Sequence, residues 1–445
     1  MRLFPLLTRS LSWLAAQLPG VTLLLTFRQL ARSTSQYIGP LVLLSLTVSL
    51  ATFTASMAVT LDDYLTDQVY YQVGADLNLA ESGESTEEAT QVTLPGQATT
   101  ATTDSTSEPQ WLFLPVTEHL SVSGVKAAAR VGDYSATARI GGRQQTGRIL
   151  GIDRLDFTAV AFYRPDFAYD ESLGALMNRL AVTSDGILVS RSFLDQQGLS
   201  VGDALRLTIG AAGTYAEVQF TIVGALDLFP TLYPQDGPFF VANLEHIYNG
   251  LGGMYPYDVW LSTDPSVPSS AIVEGVRDLG LVVVTSQDAQ QMIAAAQTRP
   301  ERQGLFGLLS VGFIAAAALT VIGFLVYAIV SFQRRFIELG MLRAIGLSKL
   351  QMAAFLTGEL AALILTGVAL GAGLGIWTSR LFIPYFKIGN DKTALVLPFV
   401  VQIAWSQLGI IFMIFGTMFV LAVAVLVVLL HRMRVFEAVK LGETV

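Results

Sequence analysis

Four long apolar runs dominate this sequence and restrict what it can fold into. They cover residues 37–61, 305–330, 352–377 and 403–430, and each exceeds the roughly 20 apolar residues that a transmembrane helix needs. Hydrophobic residues make up 52% of the 445-residue chain and charged residues only 14%, well below the roughly 25% of soluble domains. The sequence therefore predicts a membrane α-helical protein with four transmembrane helices.

The basic residues between these runs predict the orientation of the chain. The segments 1–36, 331–351 and 431–445 hold eleven lysines and arginines, whereas the 378–402 loop holds three. The positive-inside rule assigns the richer side to the cytoplasm. Both termini are therefore expected in the cytoplasm, and the 62–304 segment between the first two spans is expected to be extracytoplasmic.

The 62–304 segment mixes signals of short strands and short helices, which is typical of an α+β domain. Alternating residues predict a strand at 215–226, and Gly141-Gly142 predicts a tight turn between strands at 127–140 and 145–152. The run at 281–284 predicts a buried strand. Helices are expected at 191–197, 243–249, 268–279 and 287–297.

The boundaries of this domain predict a stalk and a disordered loop. An apolar repeat at four-residue intervals continues past the first span (Leu61, Leu65, Val69), so the first helix is expected to extend beyond the membrane. The 287–297 helix, capped by Thr285 or Ser286 with Asp288 in its first turn, is its expected neighbour. The 81–110 segment has few apolar residues and is expected to be disordered.

The sequence of the domain gives little indication of a ligand-binding site. An acidic group lacks the spacing of a calcium loop and is interpreted as a solvated face (Asp153, Asp156, Asp166, Asp170). The three histidines have no metal-binding or catalytic spacing and are expected at the surface (His119, His246, His431). The apolar 111–115 segment favours a buried strand over a surface for a cargo or partner.

Residues 331–351, between the second and third spans, predict a short cytoplasmic helix. Helix-forming residues extend from Gln333 to Ile345, and Gly346 provides a left-handed stop. Ser348 and Gln351 form a capping box that begins the third span. Such a helix suits docking of a cytoplasmic partner, since a push on it reaches both spans; the alternative is a basic helix that only anchors on anionic lipid.

The same residues resemble the coupling-helix signature of the FtsX-like (MacB-type) ABC transporter permeases, R-x-x-E-I-G-x-L-R-A-x-G-x-S. The string at 187–207 is also similar to part of the outer domain of that family. The order of one span, a large outer domain and three spans is that of the family as well. The signature matches at Arg335, Glu338, Gly340, Arg343, Gly346 and Ser348. The resemblance implies that these residues dock the ATPase.

The resemblance implies a permease subunit in a bacterial inner membrane, surrounded by membrane lipid. Its expected partners are an ABC ATPase subunit and a second permease subunit, either an identical copy or a paralogue. The amphipathic 1–36 segment resembles the link between the halves of double-length members, which favours a non-identical mate. Simple members also begin with a short basic helix, so both arrangements stay open.

The energy source is expected outside this chain. No G-x-x-x-x-G-K-[ST] phosphate-binding loop is present in the sequence, and the nearest string, Gly346–Lys349, lacks the first glycine. We therefore expect no cofactor and no enzymatic activity in this chain, with ATP and Mg²⁺ held by the partner ATPase. A sequence pI near 5.0 argues against nucleic acid as a partner.

Two features inside the apolar runs are candidates for a functional role. Glu359 is the acid of the third span, and a hydrogen bond to another helix or a reach to the interface is favoured over a role in proton or cargo movement. A glycine series allows close approach of another helix, with packing inside the subunit favoured over a dimer seam (Gly367, Gly371, Gly375).

The favoured functional hypothesis is a permease that moves its outer domain to export or extract a substrate such as a lipid, lipoprotein, peptide or drug. The alternative is a non-transporting regulator of an extracytoplasmic cell-wall hydrolase, and a sensor or adhesion receptor is the third hypothesis. An outer domain of over 200 residues favours the transporter over the regulator. The coupling motif argues against the receptor.

Overall fold

A computed structural model of the protein describes residues 34–85, 111–169, 171–334, 346, 348–385 and 396–432. Its helices are α1 (Thr34–Val73), α2 (Phe157–Val160), α3 (Leu173–Val182), α4 (Arg191–Gln197), α5 (Leu244–Leu251), α6 (Ser269–Asp278), α7 (Ala289–Gln297), α8 (Pro300–Arg334), α9 (Lys349–Phe382) and α10 (Trp405–Arg432). Its strands are β1 (Leu77–Ser82), β2 (Glu84–Ser85), β3 (Trp111–Leu112), β4 (Val125–Ile140), β5 (Arg143–Ile152), β6 (Gly186–Ser190), β7 (Ala204–Ala211), β8 (Thr214–Leu226), β9 (Phe239–Asn243), β10 (Asp258–Thr263) and β11 (Val282–Asp288).

The chain divides into two compact units, of which the first is helical. It contains α1 as far as Tyr64, together with α8, α9 and α10. Within the described ranges these four helices are long and apolar enough to cross a membrane, so the chain is a multi-pass membrane protein. Helices α8 and α9 extend a few residues past both ends of their predicted spans, whereas α10 begins two residues inside its span and ends two residues past it.

Apolar residues at three- and four-residue intervals hold the helical unit together. The α10 members of the buried cluster are Ile411, Phe415, Met418, Ala422 and Leu426, and they pack with residues of α1, α8 and α9. This spacing places them on one face of a helix. Hydroxyl groups add a polar link between α1 and α8, since Thr47 Oγ1 lies 2.6 Å from Thr320 Oγ1.

Helix α1 is longer than a membrane crossing requires. Its 40 residues correspond to about 60 Å of helix, about twice the thickness of the hydrocarbon core. The first helix thus continues past the predicted span as far as Val73, and its role as a stalk stays a prediction. Helix α7 is its neighbour, as predicted, because Val69 and Val73 pack with Ala289 and Ile293.

The second unit comprises the described residues of Leu65–Thr298 and is built on a nine-stranded sheet. The strand order is β11-β1-β10-β4-β5-β9-β6-β8-β7. Strand β4 is long enough to pair with β10 through its first half and with β7 through its second half. The β4–β7 pairing closes six strands into a barrel, and β10, β1 and β11 extend from it. The predicted α+β domain, inserted between α1 and α8, is confirmed.

The central strands of this unit are buried on both faces. In β6, Ile187 and Val189 face the larger core cluster, whereas Leu188 between them joins a second cluster with Leu176 and Leu180 of α3. Successive side chains of a strand point to opposite faces, so each face of β6 contacts its own core.

Local predictions for this unit are largely confirmed, with three corrections. The β4–β5 hairpin turns at Gly141-Gly142, both with positive φ, and β8 covers the predicted strand. Strand β11 is an edge strand rather than a buried one, since the side chains of Val282 and Val284 are 63% and 65% exposed. Asp288 is the N-cap of α7 rather than a residue of its first turn.

The third correction concerns the segment that the sequence predicts to be disordered from residue 81. Residues 81–85 are ordered in β1 and β2, because β2 pairs with β3 and Glu81 is buried. Residues 86–110 lie outside the described residues.

Candidate functional site

The described end of the coupling segment has the predicted geometry. Gly346 has a φ of +110°, and α9 begins immediately after Ser348. The Ser348 Oγ accepts a hydrogen bond from the Gln351 N–H at 3.2 Å, and the Gln351 Oε1 accepts one from the Ser348 N–H at 3.0 Å. The predicted capping box is confirmed. The other predicted coupling residues lie outside the described residues (Arg335, Glu338, Gly340, Arg343).

The predicted glycine series of α9 faces α1. A Cβ atom on Gly367 would overlap the Leu44 side chain. One turn further, a Cβ atom on Gly371 would lie 2.7 Å from the Ser45 carbonyl oxygen. Gly375 continues the series against Thr52 of α1. Since all these contacts lie inside one chain, this glycine face packs two helices of the same subunit.

Glu359 forms a hydrogen bond between helices. The hydroxyl of Tyr37 on α1 donates to Glu359 Oε1 at 2.7 Å, and both side chains are buried. A carboxylate inside a membrane protein is costly unless it is hydrogen-bonded. The sequence identified Glu359 but missed Tyr37. Tyr37 lies at the start of the first apolar run and Glu359 lies near the start of the third. This shared position near the ends of two spans is the signal from which the pairing could have been predicted.

Arginine 164 fixes the last part of α1 to the inserted domain. Its Nη1 donates to Asp67 Oδ2 of α1 at 2.7 Å. Its Nε and Nη2 donate to the two carboxylate oxygens of Asp166 at 2.9 and 2.5 Å. Burial alone would lower the pKa of Arg164, but the two carboxylates outweigh it and the pKa lies above its ordinary value. The guanidinium is therefore a permanent charge at this junction.

The end of α1 is also built into the core of the domain. The hydroxyl of Tyr71 donates to the Leu232 carbonyl, and the Tyr71 carbonyl accepts from the Thr231 N–H at 2.8 Å. Gly74, which directly follows the helix, packs against the core so closely that a Cβ atom there would overlap the Trp260 ring. Sequence periodicity predicted the helix but none of these partners.

Two members of the acidic group, Asp153 and Asp166, are paired with arginines, whereas Asp156 is exposed as expected. Arg130 donates to both carboxylate oxygens of Asp153, at 2.7 and 2.9 Å. Asp166 is held by Arg164 in the same bidentate way. The interpretation from sequence is thus wrong for these two residues, because Arg130, 23 positions before Asp153, and Arg164, two positions before Asp166, neutralise them. Asp170 lies outside the described residues.

A surface groove of about 840 Å³ opens beside Arg130. Phe113 and Leu114 form one wall, and the beginning of α5 contributes Glu245 and His246. The expected buried strand at 111–115 is wrong, since the strand is limited to β3 (Trp111–Leu112) and Leu112 within it is 73% exposed. The segment instead carries an exposed apolar edge next to the groove.

The expectation that His119 lies at the surface is also wrong. Its side chain is 1% exposed, and its Nε2 lies 2.6 Å from Glu81 Oε1. The Nδ1 lies 3.1 Å from the Val116 carbonyl oxygen. His246 is partly buried and contacts the Gln219 carbonyl. Among the residues described, no group of three or more histidine or acidic side chains could hold a metal ion.

Comparison with known proteins finds a family match in the membrane helices. Residues 310–437 match the FtsX-like permease C-terminal family. The periplasmic region of MacB from Actinobacillus actinomycetemcomitans aligns with 8% identity and a TM-score of 0.30, over 51% of this chain and 95% of that one.

The extracellular domain of the noncanonic ABC-type transporter YknZ from Gram-positive bacteria aligns with 14% identity and a TM-score of 0.28, over 39% of this chain and 85% of that one. Comparison with curated proteins gives no match. The family match covers α9, α10, most of α8 and the whole coupling segment, and it confirms the resemblance seen in that segment. Residues 310–437 thus carry the match to the FtsX-like permease C-terminal family.

Proposed function

We propose that this chain is the permease subunit of an ABC transporter and that it couples ATP hydrolysis in a separate subunit to movement of its inserted domain. The observation that carries the proposal is the continuity of α1. This single helix contributes Thr34–Tyr64 to the membrane unit and Leu65–Val73 to the domain. A helix without a break can transmit a displacement along its axis.

The fixed end of α1 supports the same proposal. Arg164, the Leu232 carbonyl and the Thr231 N–H hold its last turns to the domain. On the membrane side, the glycine face of α9 and the Tyr37–Glu359 hydrogen bond pack α1 against the helix that begins at Ser348. A push on the coupling segment would thus reach α1 through α9.

The proposed orientation has the termini and the coupling segment in the cytoplasm of a bacterial cell, with the inserted domain outside the inner membrane. The proposed partners are an ATPase that holds ATP and Mg²⁺, and a second permease subunit. The proposed substrate is a lipid, lipoprotein, peptide or drug that is exported or extracted at the outer side.

Co-purification tests this proposal. The tagged chain is isolated from native membranes in mild detergent, and bound proteins are identified by mass spectrometry together with an ATPase assay. We expect an ATP-binding subunit with the wild type and its loss in a Glu338→Ala/Arg343→Ala variant. Arg380→Ala, a basic residue of the opposite predicted side, is the control and should retain it. Absence of an ATPase from the wild-type sample would refute the proposal.

A further inference from the structure

Arg164 occupies a joint between α1 and the inserted domain. Its side chain is only 12% exposed, and it contacts two carboxylates that differ in origin. Asp67 lies on α1, whereas Asp166 lies in the same loop as Arg164, two residues away. The guanidinium therefore connects one helix to one loop, and its hydrogen bond to Asp67 crosses between the two elements.

Contacts within the loop that contains Arg164 and Asp166 orient the guanidinium independently of α1. The bidentate contact with Asp166 fixes the plane of the group, and the Phe167 ring lies 5.7 Å from its central carbon. With Nε and Nη2 directed at Asp166, Nη1 is presented to Asp67. Low exposure also limits screening by salt, so this contact is stronger than an ordinary surface ion pair.

The contact is sensitive to movement along the helix axis. A displacement of α1 by one helical turn, roughly 5.4 Å, would carry Asp67 Oδ2, now 2.7 Å from Nη1, out of hydrogen-bonding range. The hydrogen bond survives only when the loop moves with the helix. We infer that Arg164 is a positioning residue that transfers movement of α1 to the domain through Asp67, an inference that rests on the proposed function.

Removing each carboxylate separately tests this inference. Asp67→Ala and Asp166→Ala each remove one carboxylate that pairs with Arg164. The two carboxylates have similar exposure, 28% and 33%. The full chain with its co-purified ATPase is placed in nanodiscs. Amide hydrogen exchange of residues 157–168 is then measured with and without a non-hydrolysable ATP analogue. Thermal stability of each variant and ATPase activity of each complex are recorded in parallel.

We expect the nucleotide to change exchange of 157–168 in the wild type and in Asp166→Ala, and this change to be lost in Asp67→Ala. Asp67→Glu should restore it. A structural role alone would lower the stability of both alanine variants without separating their nucleotide responses. An unchanged response in Asp67→Ala overturns the inference alone. No nucleotide response anywhere in the wild-type domain overturns the proposed function and the inference together.

Discussion

Gly371 of α9 lies directly against Ser45 of α1. A Cβ atom on Gly371 would be 2.7 Å from the Ser45 carbonyl oxygen and 2.7 Å from Val48 Cβ, distances that van der Waals contact does not allow. Backbone atoms cannot be moved aside as a flexible side chain can. The close approach of these two helices therefore depends on the absence of a side chain at this position. Gly373, two residues away on the same helix, has open space around it.

Gly371→Ala should destabilise the helical unit. The added methyl group forces α1 and α9 apart, and overpacking of this kind costs roughly 1–3 kcal/mol. The matched control is Gly373→Ala, which meets no neighbour and should be neutral or stabilising by up to about 1 kcal/mol, because alanine favours a helix. Thermal unfolding of the full chain in one detergent measures both. Equal midpoints for the two variants would contradict the packing role of Gly371.

Tyr37→Phe should also destabilise the helical unit. It removes the hydroxyl that donates to the buried carboxylate of Glu359, and loss of one partner of a buried polar group costs roughly 1–3 kcal/mol. Tyr385→Phe removes a hydroxyl from a side chain that is 83% exposed and should change stability by less than about 0.5 kcal/mol. The same unfolding assay compares them, and a smaller effect for Tyr37→Phe than for Tyr385→Phe would count against the interhelical bond.

The structural features that could be predicted from the sequence are those determined by residues close together in the chain. The apolar runs, the capping box of Ser348 and the turn at Gly141-Gly142 each depend on residues that are close together in the chain, so the pattern itself carries the structure. The glycine series could be recognised as a packing face for the same reason. Its partner helix could not be identified, because four-residue periodicity defines a face but not what covers it.

Partners far apart in the sequence could not be predicted. Tyr37 and Glu359 are separated by 322 positions, and Asp67 and Arg164 by 97. Which side chains meet then depends on helix packing and strand order, which no single pattern encodes. The exposure of β11 illustrates the point, since a run of valines predicts a buried strand but its place at the sheet edge decides otherwise.

His119→Phe should destabilise the inserted domain. The ring of His119 is buried with its Nε2 against Glu81, and removing one partner of a buried hydrogen bond costs roughly 1–3 kcal/mol because the other is left unsatisfied. His246→Phe makes the same change at a partly buried histidine that contacts the Gln219 carbonyl and should cost about 1 kcal/mol. Pulse proteolysis of the full chain in urea gives both values. A His119→Phe midpoint at or above that of His246→Phe would exclude a stabilising pair.

Asp258→Asn should change how the stability of the domain depends on pH. Burial, together with the nearby carboxylate of Asp133, raises the pKa of Asp258 to about 6 from its ordinary 3.8. Between these values the folded state binds more protons than the unfolded state, so stability falls as pH rises, by up to about 3 kcal/mol at pH 7. The asparagine variant does not titrate, so it should match the wild type near pH 4 and exceed it at pH 7.5. Urea unfolding at both pH values measures this difference.

Asp264→Asn provides the control of opposite sign, because hydrogen bonds from Ser266 lower the pKa of Asp264. Loss of this carboxylate should weaken the domain at pH 7.5. A gain in stability for Asp258→Asn that is equal at both pH values would contradict a titrating Asp258.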